Sequence, residues 1–424
     1  ADAESHLTPD DPYAPFLRAF ITAIRAQLAN FEDDLPRALA LAQQARERAP
    51  EGDLAVPCYL GYLLGDVYFK LGDLVRAEEN WSEAVRVGQK SGNIFYFAPS
   101  MSDLAYMKKV QGRLGEAETL YAEVRQWATE LDALRSRVMC PLEVGLGELL
   151  RERNALEAAE RHTRAGIEHS RRHVTTTSLL LGVVTLMRLL EAQGRIDEAL
   201  ECLSEAEGIV RMYRVLKGAA AELEAWKVRR WLATGDLDAA TRWARQRQAG
   251  LADEPALVRE RVGITLARVL LAQGWAEPDG PYLEEASRRL DQLAEVAEAG
   301  GRGERWLQIR VLQALTLATQ GETSPALATL AEALARAAPE GYVRIFVDEG
   351  QPLADLLRLG VRREAWHGPR LKAYVKRLLA AFEADAAARG EKVSTAPAPS
   401  PLIEPLSERE REVLALICQG HSNQ

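Results

Sequence analysis

Three arginines, Arg188, Arg229 and Arg268, recur at separations of 41 and 39 residues. Tyr59, Tyr62 and Tyr106 come before them in the chain. Guanidinium groups repeated in this way can form a row that pairs with carboxylates or phosphates. Tyrosine rings can stack on a sugar or another ligand with an apolar face. His162, His169 and His173 share one stretch, the last two at i, i+4, a spacing that can hold a metal. No acidic or thiol partner has the accompanying spacing, and Arg164, Arg171 and Arg172 intervene, so a solvated polar face is expected and no metal site. Cys58, Cys140, Cys202 and Cys418 form no C-x-x-C pair, which argues against a disulfide framework and fits a reducing cytoplasm. There is no G-x-S-x-G elbow and no G-x-x-x-x-G-K-[ST] phosphate loop. Gly300-Gly301-Arg302-Gly303 does not replace that loop, lacking the lysine and a preceding strand. The expectation is a chain that is not an enzyme and needs no cofactor.

What must position these residues is legible at Leu64–Ala84. Leu64, Gly65 and Tyr68 share one helical face, Gly72-Asp73 ends that helix and caps the next, and Ala77, Trp81 and Ala84 recur at i, i+4 and i+7. The small residues let two helices approach while Tyr68 and Trp81 fill the space around them. The unit returns with anchors at Ala38, Ala77, Ala117, Ala159, Ala199, Ala240, Ala286 and Ala326, separated by 39, 40, 42, 40, 41, 46 and 40 residues. Glycines 72, 112, 194, 235 and 321 mark the turns, and Asn154 stands in for glycine in the fourth. Residues Trp275–Pro281 account for the interval of 46. The pattern resembles the tetratricopeptide repeat (TPR), with a period about six residues longer than the standard repeat of roughly 34. The resemblance implies an all-α fold, a right-handed superhelical solenoid of about eight TPR-like hairpins over residues 1–339, with longer helices than usual.

In such arrays the concave wall is lined by first-helix positions facing away from the second helix. Aligned on the anchors, one row reads Asp66, Tyr106, Glu148, Arg188, Arg229 and Arg268. Neighbouring rows add Tyr62, and then Tyr59, Glu222 and Arg261. The wall therefore runs from aromatic and acidic to basic, and these ten residues are the candidate effector-binding set. Two readings stand side by side: the basic end holds an anionic group or a partner's acidic residues, or its arginines pair with Glu191, Glu222 and Glu224 and solvate the wall.

Beyond the array, residues 340–387 read as a segment capping the open end, with helices expected at Pro352–Leu359 and Gly368–Asp385. Residues 388–404 read as an extended linker, Pro397, Pro399 and Pro401 breaking any helix. Residues 405–424, Pro-Leu-Ser-Glu-Arg-Glu-Arg-Glu-Val-Leu-Ala-Leu-Ile-Cys-Gln-Gly-His-Ser-Asn-Gln, begin with a capping box at Ser407 and Glu410. They closely resemble the opening of a LuxR-type helix-turn-helix, cut before its recognition helix. Array and tail together resemble the large LuxR-type, MalT-like transcriptional regulators, and Gly341-Tyr-Val-Arg-Ile-Phe-Val-Asp-Glu-Gly350 resembles that family's junction.

The resemblance implies a signal-sensing domain that binds a small-molecule or protein effector in its groove, self-associates, and is preceded in the full-length protein by an ATPase domain. DNA would be reached only through the missing remainder of the helix-turn-helix; a net charge of −9 agrees that the bulk of the chain does not lie on nucleic acid. No run of 18 apolar residues and no signal peptide is present, so neither membrane contact nor export is expected. The alternative is a TPR-type adaptor or scaffold that holds a peptide or protein partner.

Overall fold

The computed structural model describes residues 12–390, except Asn93 and the side chains of Phe95 and Tyr96. The helix-turn-helix opening at 405–424 and all but the first residues of the linker lie outside them. The described chain is an all-α solenoid of eight hairpins, pairing α1 (Ala14–Phe31) with α2 (Leu35–Arg48), α3 (Ala55–Leu71) with α4 (Leu74–Ser91), α5 (Ile94–Val110) with α6 (Leu114–Glu130), and α7 (Met139–Glu152) with α8 (Leu156–His173). Then come α9 (Thr176–Ala192) with α10 (Ile196–Met212), α11 (Lys217–Ala233) with α12 (Leu237–Gln248), α13 (Ala256–Ala276) with α14 (Tyr282–Ala299), and α15 (Gly303–Thr319) with α16 (Thr323–Ala337). No described helix is long and apolar enough to cross a membrane.

The local chemistry follows the repeat. Gly72 adopts φ +83° at the end of α3, and Asp73 caps α4 by accepting a hydrogen bond from the Arg76 amide at 3.0 Å. Asn154 holds φ +64° in the fourth turn, so amide chemistry replaces glycine there. All eight anchor alanines are at most 1% exposed, placing one methyl-sized contact in each hairpin. At Gly65 a β-carbon would sit 2.3 Å from the Trp81 ring, so the missing side chain is what admits the indole.

Two features depart from a uniform stack. First, the superhelix closes on itself. Helix α13 touches α3 and α15 touches α5, so the seventh and eighth hairpins lie against the second and third. At that seam a β-carbon on Gly303 would lie 2.3 Å from the Gln111 carbonyl oxygen. Second, the backbones stand further apart at one junction than at the others. At the other junctions the second helix of a hairpin runs closely against the first helix of the next; α10 and α11 meet through side chains, Ala206 and Ile209 sharing a buried cluster with Ala219, Leu223 and Trp226, and Glu207 pairing with Lys227 at 2.6 Å. Helix α12 buries only Ala240, and a cleft of about 530 Å³, walled by Lys227, Trp231, Arg242 and Trp243, opens beside it.

The segment after α16 does more than close an end. Glycines 341 and 350, both at positive φ, bracket the short helix α17 (Arg344–Val347), and Tyr342, Val343, Ile345, Phe346 and Val347 are buried. The Val343 amide donates to the Glu152 carbonyl at 2.7 Å, and α17 touches both α7 and α15. The chain thus turns back into the superhelix. Helices α18 (Gln351–Arg362) and α19 (Pro369–Ala388) then cover it from outside, covering the spans expected to be helical.

Candidate functional site

Every one of the ten candidate residues is half-buried. They fall into three groups along the superhelix.

The first group is aromatic and acidic. Tyr59 packs at 5.5 Å on the Phe20 ring, and Tyr106 meets Phe69 edge-on at 5.8 Å. Asp66 accepts from the Asn30 side-chain amide at 2.6 Å and lies 3.5 Å from the Lys70 ammonium. Burial, then the nearby carboxylates of Asp103 and Asp66, pushes the Tyr62 hydroxyl far above its ordinary range. Asp103 itself is half-buried, and burial followed by the like charge of Asp66 holds its carboxyl well above the carboxylate range. The folded state therefore favours the protonated form. Its contribution to stability is complete at acid pH and is lost as pH rises through the raised value. Asp103→Asn is accordingly expected to stabilise the protein on the order of 1 kcal/mol at pH 7.5. The gain should vanish near pH 4 when thermal melts are recorded across that range; a pH-independent gain would mean the carboxyl stays charged.

The second group is a buried ion network at the seam. Lys109 reaches Glu304 at 2.8 Å and Glu148 at 3.1 Å, joining the third hairpin to the eighth and the fourth. Glu222 pairs with Arg261 and, at 3.4 Å, with Arg305. Burial alone would raise the Glu222 carboxyl, but the guanidiniums of Arg261, Arg305 and Arg188 overrule it and bring it down to about 2.

The third group is the basic row, where the structure corrects the expected partners. Arg188 lies 4.0 Å from Glu148, 3.8 Å from Glu152 and 4.0 Å from Asp348. Arg229 and Arg268 converge on one carboxylate, Glu349, at 2.9 and 2.5 Å. Of the expected partners, Glu191 pairs with Arg230, Glu224 with Arg247, and Glu222 as above. The three arginines meet acids of a neighbouring hairpin and of the returning segment rather than acids of their own helices. Asp348 is also bound by Arg151 and Arg344, which hold its carboxyl far below the ordinary range against the effect of burial. Asp348 and Glu349 were not among the candidates. The available signal was two consecutive acids directly after a buried apolar run and directly before a glycine.

The histidines are dispersed. His162 meets Glu143 at 2.6 Å through Nδ1, and His173 meets the Arg135 carbonyl at 2.8 Å through Nε2. Among the described residues no group of histidine, cysteine and carboxylate side chains is arranged to hold a metal.

The sequence profile of the MalT-like TPR region matches residues 19–362. The HTH-type transcriptional regulator MalT of Serratia proteamaculans (strain 568) is 26% identical over 427 residues, covering 96% of this chain and 45% of that protein. The regulator of the same name from Yersinia pestis (strain Pestoides F) is 25% identical over 429 residues, covering 97% and 46%. The chain thus spans about half the length of the curated relatives it matches. Among solved structures, a Rap protein complexed with Competence and Sporulation Factor aligns over 91% of this chain and 90% of its own, with a TM-score of 0.40 and 13% identity. BtubC from P. vanneervenii aligns over 50% and 88%, with a TM-score of 0.40 and 20% identity.

Proposed function

Because this chain belongs to the MalT-like TPR family, we propose that it is the signal-receiving array of a transcriptional regulator, taking an effector on the inner wall of its superhelix. The observation that carries this reading is the convergence of the wall on the segment that leaves it. Side chains of the fourth to seventh hairpins, Arg151, Arg188, Arg229 and Arg268, all end on Asp348 or Glu349. A ligand that alters the wall therefore alters the stretch leading toward residues 405–424, where the sequence resembles a LuxR-type helix-turn-helix. An effector acts by its difference in affinity between two packings of this joint. The effector is a small molecule or a protein segment; self-association, DNA contact through a completed helix-turn-helix, an upstream ATPase domain and a cytoplasmic location belong to the same reading.

The test is a thermal-shift screen of metabolites and short peptides against the chain, since a ligand of the folded array must raise its melting temperature. Hits should lose affinity by about tenfold or more in Arg229→Gln or Tyr62→Ala. Binding indifferent to both substitutions would move the effector off the inner wall. Hits confined to peptides would favour an adaptor that holds a protein partner.

A further inference from the structure

Arg229 and Arg268 are two guanidiniums on one carboxylate. Burial, then the charge of Arg229, pushes the Arg268 guanidinium down to about 10 in spite of Glu349. The Arg268 side chain is 10% exposed and its Nε has no hydrogen-bond partner. One anion, supplied by the chain itself, thus sits in a pocket of charge that it does not neutralise. That anion also belongs to a segment that spans the α10–α11 junction. Consecutive residues of one segment bind opposite sides of that junction: Asp348 holds Arg151 and Arg188 of the fourth and fifth hairpins, and Glu349 holds Arg229 and Arg268 of the sixth and seventh. At that junction α10 and α11 meet through side chains, Ile209 with Leu223 and Trp226 in one buried cluster and Glu207 with Lys227 at 2.6 Å. To these contacts the returning segment adds an ionic clasp from within.

Resting on the reading of the inner wall as a receptor, we propose that the Arg229–Arg268 pair is an anion-binding site whose resident ligand is Glu349, and that a soluble ligand bearing a carboxylate or phosphate replaces it. Guanidinium forks accept either group in a bidentate manner. A tethered carboxylate competes at an effective concentration in the millimolar range, so the incoming ligand must present more than one acceptor oxygen to win. Replacement leaves Asp348 on the fourth and fifth hairpins and frees the sixth and seventh. The signal is then a loosening of the segment 342–350 and of α11 and α12.

Hydrogen exchange on the whole chain tests this with inorganic pyrophosphate and succinate as probes, against sodium chloride at equal ionic strength. One or both probes should speed exchange of amides in 342–350, α11 and α12 saturably, leaving α3 and α4 unchanged, and chloride should not. The responding probe identifies the acid class. By calorimetry Glu349→Gln, which lacks the competitor, should bind that probe at least tenfold more tightly than the parent, and Arg268→Gln should abolish binding. No saturable change, an equal response to chloride, or no tightening in folded Glu349→Gln would overturn the proposal. If that variant does not fold, the exchange result on the parent chain decides. A metabolite hit that leaves the 342–350 amides unchanged sinks the displacement but keeps the effector reading. Probe-driven release with no metabolite or peptide hit does the reverse.

Discussion

Arg344→Met should lower the unfolding free energy by about 3–5 kcal/mol, the usual cost of removing one member of a buried ionic cluster. Arg344 is 3% exposed, and its guanidinium donates to Asp348 at 2.8 Å from Nε, and to Asp385 at 2.8 Å and Asn154 at 3.3 Å from Nη1. Methionine fills much of the volume but supplies no donor, so the buried Asp385 and the half-buried Asp348 each lose a counter-charge. The asymmetry matters here: a paired buried ion adds little net stability, while a stranded one is costly. Urea unfolding followed by circular dichroism measures the loss. The double variant Arg344→Met, Asp385→Leu should recover part of it, because the second change removes the more deeply buried of the two acids that lost a partner. A loss under 1 kcal/mol, or a double variant no better than the single, would show that water reaches the cluster.

The same cluster marks the limit of what the sequence discloses. The eight hairpins were legible because their signals are local: a glycine or asparagine at positive φ, an aspartate cap, an alanine where two helices touch. The half-buried inner rows were legible for the same reason, since helical periodicity places Asp66, Tyr106 and Arg188 on equivalent faces. Which acid meets which arginine was not. Lys109 and Glu304 are 195 residues apart, and they meet only because small rotations between successive hairpins add up to a closed turn. No short-range pattern encodes that sum. Nor does the fifth hairpin, with its own glycine and anchor, betray that α10 and α11 meet through side chains with their backbones further apart than at the other junctions. The returning segment reads as part of a cap and as a family-like junction, while its role as partner to the arginines depends on the three-dimensional closure.

Trp81→Ala tests the part that was local, and it should cost about 3–5 kcal/mol through the cavity it leaves. The indole is 2% exposed, packs 5.6 Å from the Phe69 ring, and donates from Nε1 to the Tyr62 carbonyl at 3.2 Å. Removing it also leaves that carbonyl without this bond. Because Gly65 exists to admit the ring, Gly65→Ala should be destabilising on its own and much less so once Trp81 is already alanine, where the new methyl enters vacated space. The second and third hairpins line the seam with the seventh and eighth, so the damage should spread. Hydrogen exchange in Trp81→Ala is expected to rise in α13 and α15 as well as in α3 and α4. Loss confined to α3 and α4, with the seam still protected, would mean that the superhelical turn closes independently of the hairpin that begins it.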